Sequence, residues 1–433
     1  MLYRESTAAL PTRIMLFIGS DSDAEGAMTD YDAIVVGARC AGSVLATRLG
    51  RAGWRVLLVD RATFPSDTVS THFLFPNTLQ RLAALGVMER LHAGHDIPRL
   101  QWSWRVLGHT IAGAFTPIAG EDRLTCIRRV TLDAALVEEA AAAGVTCRFG
   151  ERVTGLAGAG RPEDPVRGVV LAGGDALRAP WVFGADGRNS TIARALGLAG
   201  TRLLTGDLAF LFGYWTGLPA TEWFRMDVRS DLSLVCCPCE DGVHLVVLAG
   251  RPPLVRGDRL GTYLAGIRRF PATLNPRLID RATMISPLVV APEPMLRGFF
   301  RPAHGPGWAL VGDACHFKHP VTAQGISDAV EQAWFVADAL LGDDQALDTY
   351  QNWRDARAAE HYEWSFQSAR LPHPEHGQPV FAGLAADPHA GQEWRDLFTR
   401  LRRPSEVFTA ERLSRWAAAW QDRPRIGEST AHG

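Results

Sequence analysis

The side chains of this 433-residue chain best suited to move a proton or hold a charge lie in two turn-rich loops. His72 closes the run FPSDTVSTH, and Lys318 and His319 immediately precede Pro320 in HFKHP. Imidazole titrates near neutrality, so His72 reads as an acid/base, as an orienting group, or as a capped structural donor in a Ser/Thr loop. Three carboxylates form a second set: Asp60, Asp186 and Asp313 each follow a short apolar run, in RVLLVD, WVFGAD and WALVGD. Gly184, Gly187 and Gly312 flank two of them. At Asp60 such a carboxylate suits a nucleotide in an α/β sheet; at Asp186 and Asp313 the residues by themselves read as strand-end turn chemistry. No catalytic triad or metal cluster accompanies them. Cys236, Cys237 and Cys239 form CCPC but lack a second Cys/His pair at zinc spacing, and LSLVCCPCEDGVHLVVL reads as a hairpin with a Glu-Asp-Gly turn.

The elements that must position these groups begin with DAIVVGARCAGSVLATRLGRAGWRVLLVDR. Its continuous apolar run predicts a buried parallel strand over Ala33–Val36. A helix is expected from about Ala41, with Gly53 as a left-handed cap, then a second strand over Trp54–Val59 that delivers Asp60 and Arg61. In this βαβ arrangement Gly37 makes the tight turn and Gly42 the close helix–strand contact, while the helix N-terminus suits a pyrophosphate. Asp60, 23 residues after Gly37, is placed for a ribose hydroxyl. Arg39 replaces the middle glycine of GxGxxG, so its side chain must point away from a pyrophosphate or reach around to it. Further strands are expected near 146–155, 166–172 and 178–185 as a meander, with 173–175 as a turn.

Composition bounds the rest. At 47% hydrophobic and 21% charged, the chain has material for a large core, which excludes disorder and small stapled scaffolds. A formal charge of −2 offers no overall field for nucleic acid or anionic membranes. No apolar run reaches the ~18 residues of a membrane span. Seven scattered cysteines point to reduced thiols and a cytoplasmic setting. Residues 1–30 read as an extension, with Met28 a possible start. Among 45 basic residues Lys318 is the one lysine, set against 44 arginines.

Two distant segments give the pattern a family. Residues 181–194 read WVFGADGRNSTIAR, and residues 308–326 read WALVGDACHFKHPVTAQGI. With the glycine-rich start, they resemble the FAD-dependent aromatic hydroxylases and their relatives, the geranylgeranyl reductases and flavin-dependent halogenases, over residues 31 to about 345. The resemblance implies an α/β fold: a Rossmann-like FAD-binding domain with a parallel sheet and βββ meander, interleaved with an α+β substrate domain and followed by a C-terminal helical extension. The FAD-binding domain would comprise 31–72, 120–200 and 293–345, the substrate domain 73–119 and 201–292, and the helical region 346–433.

By the same resemblance FAD would be held by Gly37, Arg39, Ala41, Gly42, Asp60, Arg61, Arg129, Asp186, Gly187, Gly312, Asp313, Pro320, Gln324, Gly325 and Ile326. Asp313 falls to the ribityl and pyrophosphate region. The Gln324-Gly325-Ile326 helix start falls beneath the flavin carbonyl edge, where a helix dipole favours negative charge. Asp186 and Gly187 would also meet NAD(P)H, a transient reductant without its own Rossmann domain. Arg129 is preferred to Arg128 on its spacing to Leu132. His72 would pass beside the flavin ring. Lys318 and His319 keep three readings: contact with flavin phosphate, with a substrate anion, or with solvent alone.

The implied activity is oxygenation by O2 of an apolar, aromatic or polyketide-like small molecule through a flavin hydroperoxide. The alternatives are a geranylgeranyl-type reductase, a halogenase and a non-catalytic flavin or drug binder. A cysteine-containing reductase signature is missing, and QWSWRV poorly matches the halogenase GWxWxIP segment. The Trp-rich runs read first as core. Nothing in the sequence bears on oligomeric state.

Overall fold

The structure, a computed structural model, describes residues 29–70, 72–342 and 344–423; the N-terminal extension up to residue 28 lies outside them. A six-stranded sheet holds the first βαβ unit, in the order His304–Gly305, Trp308–Leu310, Trp181–Gly184, Ala33–Val36, Val56–Asp60, Thr146–Phe149. The strand Ala33–Val36 lies between two parallel neighbours and is buried on both faces, as its unbroken apolar run requires. The helix Cys40–Arg51 follows it and packs against the long helix Gly325–Gly342.

The meander differs in detail from the sequence expectation. The stretch 146–155 divides at Gly150 (φ 77°): Thr146–Phe149 joins the parallel sheet, and Val153–Ala157 opens a three-stranded antiparallel sheet with Gly168–Leu171 and Ala176–Arg178. The stretch 178–185 likewise divides before Trp181–Gly184, with Pro180 between the two strands; proline has no N–H to give a ladder.

A second large sheet has eight strands in all. Its main path runs Thr283–Met284, Ala209–Thr216, His244–Gly250, Leu232–Pro238, Trp223–Val228, Gln101–Val106, His109–Gly113, and Val289–Ala291 also pairs with Ala209–Thr216. The CCPC segment is the end of one hairpin arm, joined through Glu240–Gly242 to the next. Inward-facing Trp102 and Trp104 are core residues, 2% and 7% exposed. Trp102 stacks on Phe224 with ring centroids 4.5 Å apart and meets Phe398 of the helix Pro388–Thr399 at 4.6 Å. Each such pair contributes about 0.5–1.5 kcal/mol beyond simple burial. The C-terminal helices thus close the inner face of this sheet. Its outer face packs against the helix Arg259–Arg268 through Tyr263 and Ile267.

Candidate cofactor and active site

The glycine-rich turn is sterically fixed. A Cβ on Gly37 (φ 104°) would lie 2.4 Å from the Ala185 carbonyl oxygen, and one on Gly42 would lie 1.8 Å from that of Gly37. No other residue type fits either place. The helix Cys40–Arg51 has no side-chain cap and no acid in its first turn, so its leading N–H groups remain available to an anion. Arg39 turns sideways: its guanidinium reaches Asp133 at 2.5 Å, Ser66 Oγ at 3.2 Å and the Asp67 carbonyl at 3.2 Å. Asp60 accepts from the backbone N–H of Ala38 (2.7 Å) and Ala62 (2.8 Å), straddling the turn, while Arg61 is exposed.

Two distant strand ends converge on that turn. Gly312 (φ 62°) approaches so closely that a Cβ there would meet the Ala41 Cβ at 3.1 Å. This explains small residues at both positions. Beside it, burial pushes the Asp313 carboxyl up to about 6, although the charges of Arg129, Arg188 and Lys318 pull the other way. Arg129 is itself buried and gives two hydrogen bonds to Asp133 Oδ1, at 3.1 and 2.8 Å. Arg128 points elsewhere, to Glu240 of the large-sheet hairpin at 2.6 Å. The two arginines therefore serve different partners. Asp186 accepts from the N–H of Thr191 at 2.6 Å through Oδ2, while its buried Oδ1 has no partner and burial raises its carboxyl. Gly187 follows at φ 76°.

His72 is fully buried with φ 64°. Its Nε2 lies 2.6 Å from the Tyr214 hydroxyl, and its Nδ1 has no partner. Burial, reinforced by the Arg129 charge, lowers the imidazole to about 3, so it is neutral near pH 7. Burial keeps the Tyr214 phenol protonated as well. The pair is a neutral hydrogen-bonded dyad with one open nitrogen.

Lys318 lies beneath the proline loop rather than in solvent. Its Nζ bonds Gln324 Oε1 at 2.9 Å and pairs with Asp328 at 2.8 Å, and burial drives its pKa well down. Asp328 also pairs with Arg400, at the end of the helix Pro388–Thr399. Gln324 Nε2 donates to the Leu397 carbonyl at 2.7 Å, so the start of the helix Gly325–Gly342 is tied to the C-terminal region twice. His319 is buried and accepts from the Val321 N–H at 3.3 Å, capping the turn that begins at Pro320. Ile326, in the first turn of that helix, is core.

The family model described as "FAD binding domain" matches residues 30–238 and 304–365. The chain belongs to that family. Among curated relatives of this FAD-binding protein, a rifampicin monooxygenase of Streptomyces venezuelae is 32% identical over 392 residues, 82% of this chain and 75% of that one. A 6-methylpretetramide 4-monooxygenase of Streptomyces rimosus is 29% identical over 73% of this chain, and the match spans 58% of the relative's length. A menaquinone reductase of Mycolicibacterium smegmatis is 28% identical over 79% of this chain and 83% of that one. Among solved structures, a flavin-dependent brominase superposes with TM-score 0.67 at 17% identity, covering 90% of this chain and 98% of its own.

FAD is the cofactor of this protein, and its residues fit that group. The cradle that a Cβ would fill at Gly37 and Gly42, the uncapped helix start and the orphaned Asp186 oxygen all face an anionic, hydroxyl-rich ligand in kind. Sequence reasoning missed three residues of the flavoprotein. Tyr214 was hidden in an aromatic strand, where only alternation hinted at its inward direction. Asp133 sits four residues after Arg129, a helical spacing that could have exposed the ion pair. Arg400 carried no local signal. Among the described residues, the single grouping able to offer three metal ligands is exposed His373, Glu375 and His376.

Proposed function

We propose that this flavoprotein is a monooxygenase that uses NAD(P)H and O2 to oxygenate an aromatic or polyketide-like small molecule. The observation that carries the reading is the His72–Tyr214 dyad, with its open Nδ1 on an apolar, aromatic sheet face near Arg129. Streptomyces relatives named for oxygenating a pretetramide and rifampicin support the substrate class.

Gly37, Ala41, Gly42, Asp60, Arg129, Asp186, Gly187, Gly312, Asp313, Pro320, Gln324, Gly325 and Ile326 would hold FAD, and Asp186 and Gly187 would also meet the nicotinamide. Arg39 and Arg61 remain proposed contacts of the outer phosphate region, Arg39 acting from its anchored position on Asp133. When bound, FAD supplies the electron transfer and oxygen activation that no side chain can. The chain's own task is positioning. His72 is the proposed catalytic residue: Tyr214 fixes its ring orientation through Nε2, which leaves Nδ1 to accept from a substrate hydroxyl in one tautomer or donate to a carbonyl in the other. The aromatic inner face excludes water around the reacting atoms. Lys318 and His319 are proposed as positioning residues that set the proline loop and the helix start after Gln324.

The FAD-binding part is assigned to 31–72, 120–200 and 293–345, the substrate part to 73–119 and 201–292, and the helical region to 346–433, of which residues after 423 lie outside those described. No helix among the described residues is long and apolar enough to cross a membrane; a cytoplasmic setting is proposed from the unpaired thiols.

The test is anaerobic mixing of the yellow holoenzyme with NADPH across a panel of aromatic and polyketide compounds, followed by admission of ¹⁸O₂. A substrate should accelerate flavin bleaching and give product carrying the label. Bleaching with a reduced, unlabelled product would overturn the proposal in favour of a reductase.

A further inference from the structure

The outer face of the large sheet carries a cleft of about 310 Å³, roofed by the turn before the helix Pro276–Ile279 and by the loop after Ala209–Thr216. Strand register decides which side chains reach it. His244 pairs across from Trp215, and Arg225 across from Cys236, whereas Tyr214 pairs with Leu245 one residue along. Successive residues point to opposite faces, so His244 and Arg225 lie on the side away from the His72 dyad.

His244 is 2% exposed, and neither ring nitrogen has a hydrogen-bond partner. The Gly242 and Pro219 carbonyls lie beside the ring and favour its protonated form, but burial outweighs them and keeps the ring neutral. A neutral ring has one N–H to offer these carbonyls, so its other nitrogen keeps an acceptor lone pair that the chain does not satisfy, and the residue lines the cleft. Arg225 lines the same cleft, is exposed, and has no acceptor among the described residues. Trp223, Leu218 and Leu274 make the remaining wall largely apolar. The volume is at the lower end of small-ligand pockets, roughly 300–1,000 Å³.

We propose that this cleft is a second small-molecule site, separate from the cofactor and the inner face, which takes a flat hydroxyaryl carboxylate. Arg225 holds the carboxylate, Trp223 and the leucines cover the ring, and His244 bonds the ring hydroxyl. Planar, charge-assisted recognition of a carboxylate is the chemistry for which a free guanidinium is best suited.

The experiment titrates the FAD-loaded full chain with 3-hydroxy-2-naphthoate by calorimetry while recording the flavin spectrum, with 2-naphthoate as the analogue lacking the hydroxyl. Wild type should bind one equivalent without a flavin shift and prefer the hydroxylated probe. Arg225→Gln, a change at an exposed side chain, should weaken binding at least tenfold with flavin content intact. His244→Leu should abolish the preference between the two probes. Absence of saturable binding, equal affinity in wild type and Arg225→Gln, or binding that shifts the flavin spectrum as its only event would each overturn the proposal. Binding is read without turnover, so the outcome is independent of the monooxygenase reading.

Discussion

Two regions of the large sheet differ in what their polar groups do: the outer face beneath the helix Arg259–Arg268, apart from the His244 cleft, and the inner face around His72. On the outer face, Trp215 Nε1 donates to the Tyr263 hydroxyl at 3.0 Å, and that hydroxyl donates to the Val246 carbonyl at 2.9 Å. The chain of bonds closes on itself, under the helix Arg259–Arg268. On the inner face, one residue along the same strand, Tyr214 binds an imidazole whose second nitrogen is left open. The inner face is covered not by a local helix but by distant parts: the loop at His72 and the tail residues Trp394 and Phe398. A closed network secures packing, while an open one beside a charged cofactor cradle can act on a ligand.

The largest effect is expected where the tail is fastened to the inner side. Asp328→Ala leaves Lys318 and Arg400 buried without their shared carboxylate, a loss of about 3–5 kcal/mol. Urea unfolding should show it as a large fall in midpoint; an unchanged midpoint would mean that the cover does not depend on this ion cluster.

His72→Ala should lower product formation about 100-fold with flavin still bound, the scale of a lost acid/base or orienting group. Its stability should fall by no more than about 1–3 kcal/mol, the cost of leaving the Tyr214 hydroxyl unpaired. If stability collapses instead, the inner dyad is packing like its outer counterpart, and the contrast between the faces fails.

Acid should weaken the inner side. His72, His319 and His361 are held by burial at about 3 when folded, below the ordinary 6.5 of an unfolded histidine. The unfolded chain therefore binds more protons, so their contribution is complete above pH 6.5 and is lost as pH falls toward 3. Each such histidine adds up to about 1.4 kcal/mol per pH unit across that window. Equilibrium unfolding at pH 7 and pH 5 should show the drop, and His361→Gln should reduce its slope.

The smallest effect belongs to the outer face. Tyr263→Phe removes the hydroxyl that joins Trp215 to Val246 and should cost about 1–2 kcal/mol, with turnover unchanged. Altered turnover would show that the faces communicate.

Much of the cofactor site was legible because its constraints are local. The strand Ala33–Val36 appeared with its expected bounds, and of the two neighbouring arginines it is Arg129 whose charge acts on Asp313. Spacing to Leu132 encodes that direction through helical geometry. Lys318 stood out by rarity, yet its partner Asp328 lies ten residues away and Arg400, the other cation on that carboxylate, 82 residues away, and no period links them.

By itself the sequence determined the βαβ start, the glycines that no Cβ can replace and the order of the FAD motifs, since each depends on backbone sterics within a few residues. Tertiary structure alone decided that Tyr214 completes His72 across 142 residues, that Arg400 reaches the helix start after Gln324, and that His244 faces a cleft. Those outcomes follow from sheet register and helix docking. A one-residue shift in pairing would exchange Tyr214 for Trp215 and turn the face toward His72 into the one beneath the helix Arg259–Arg268.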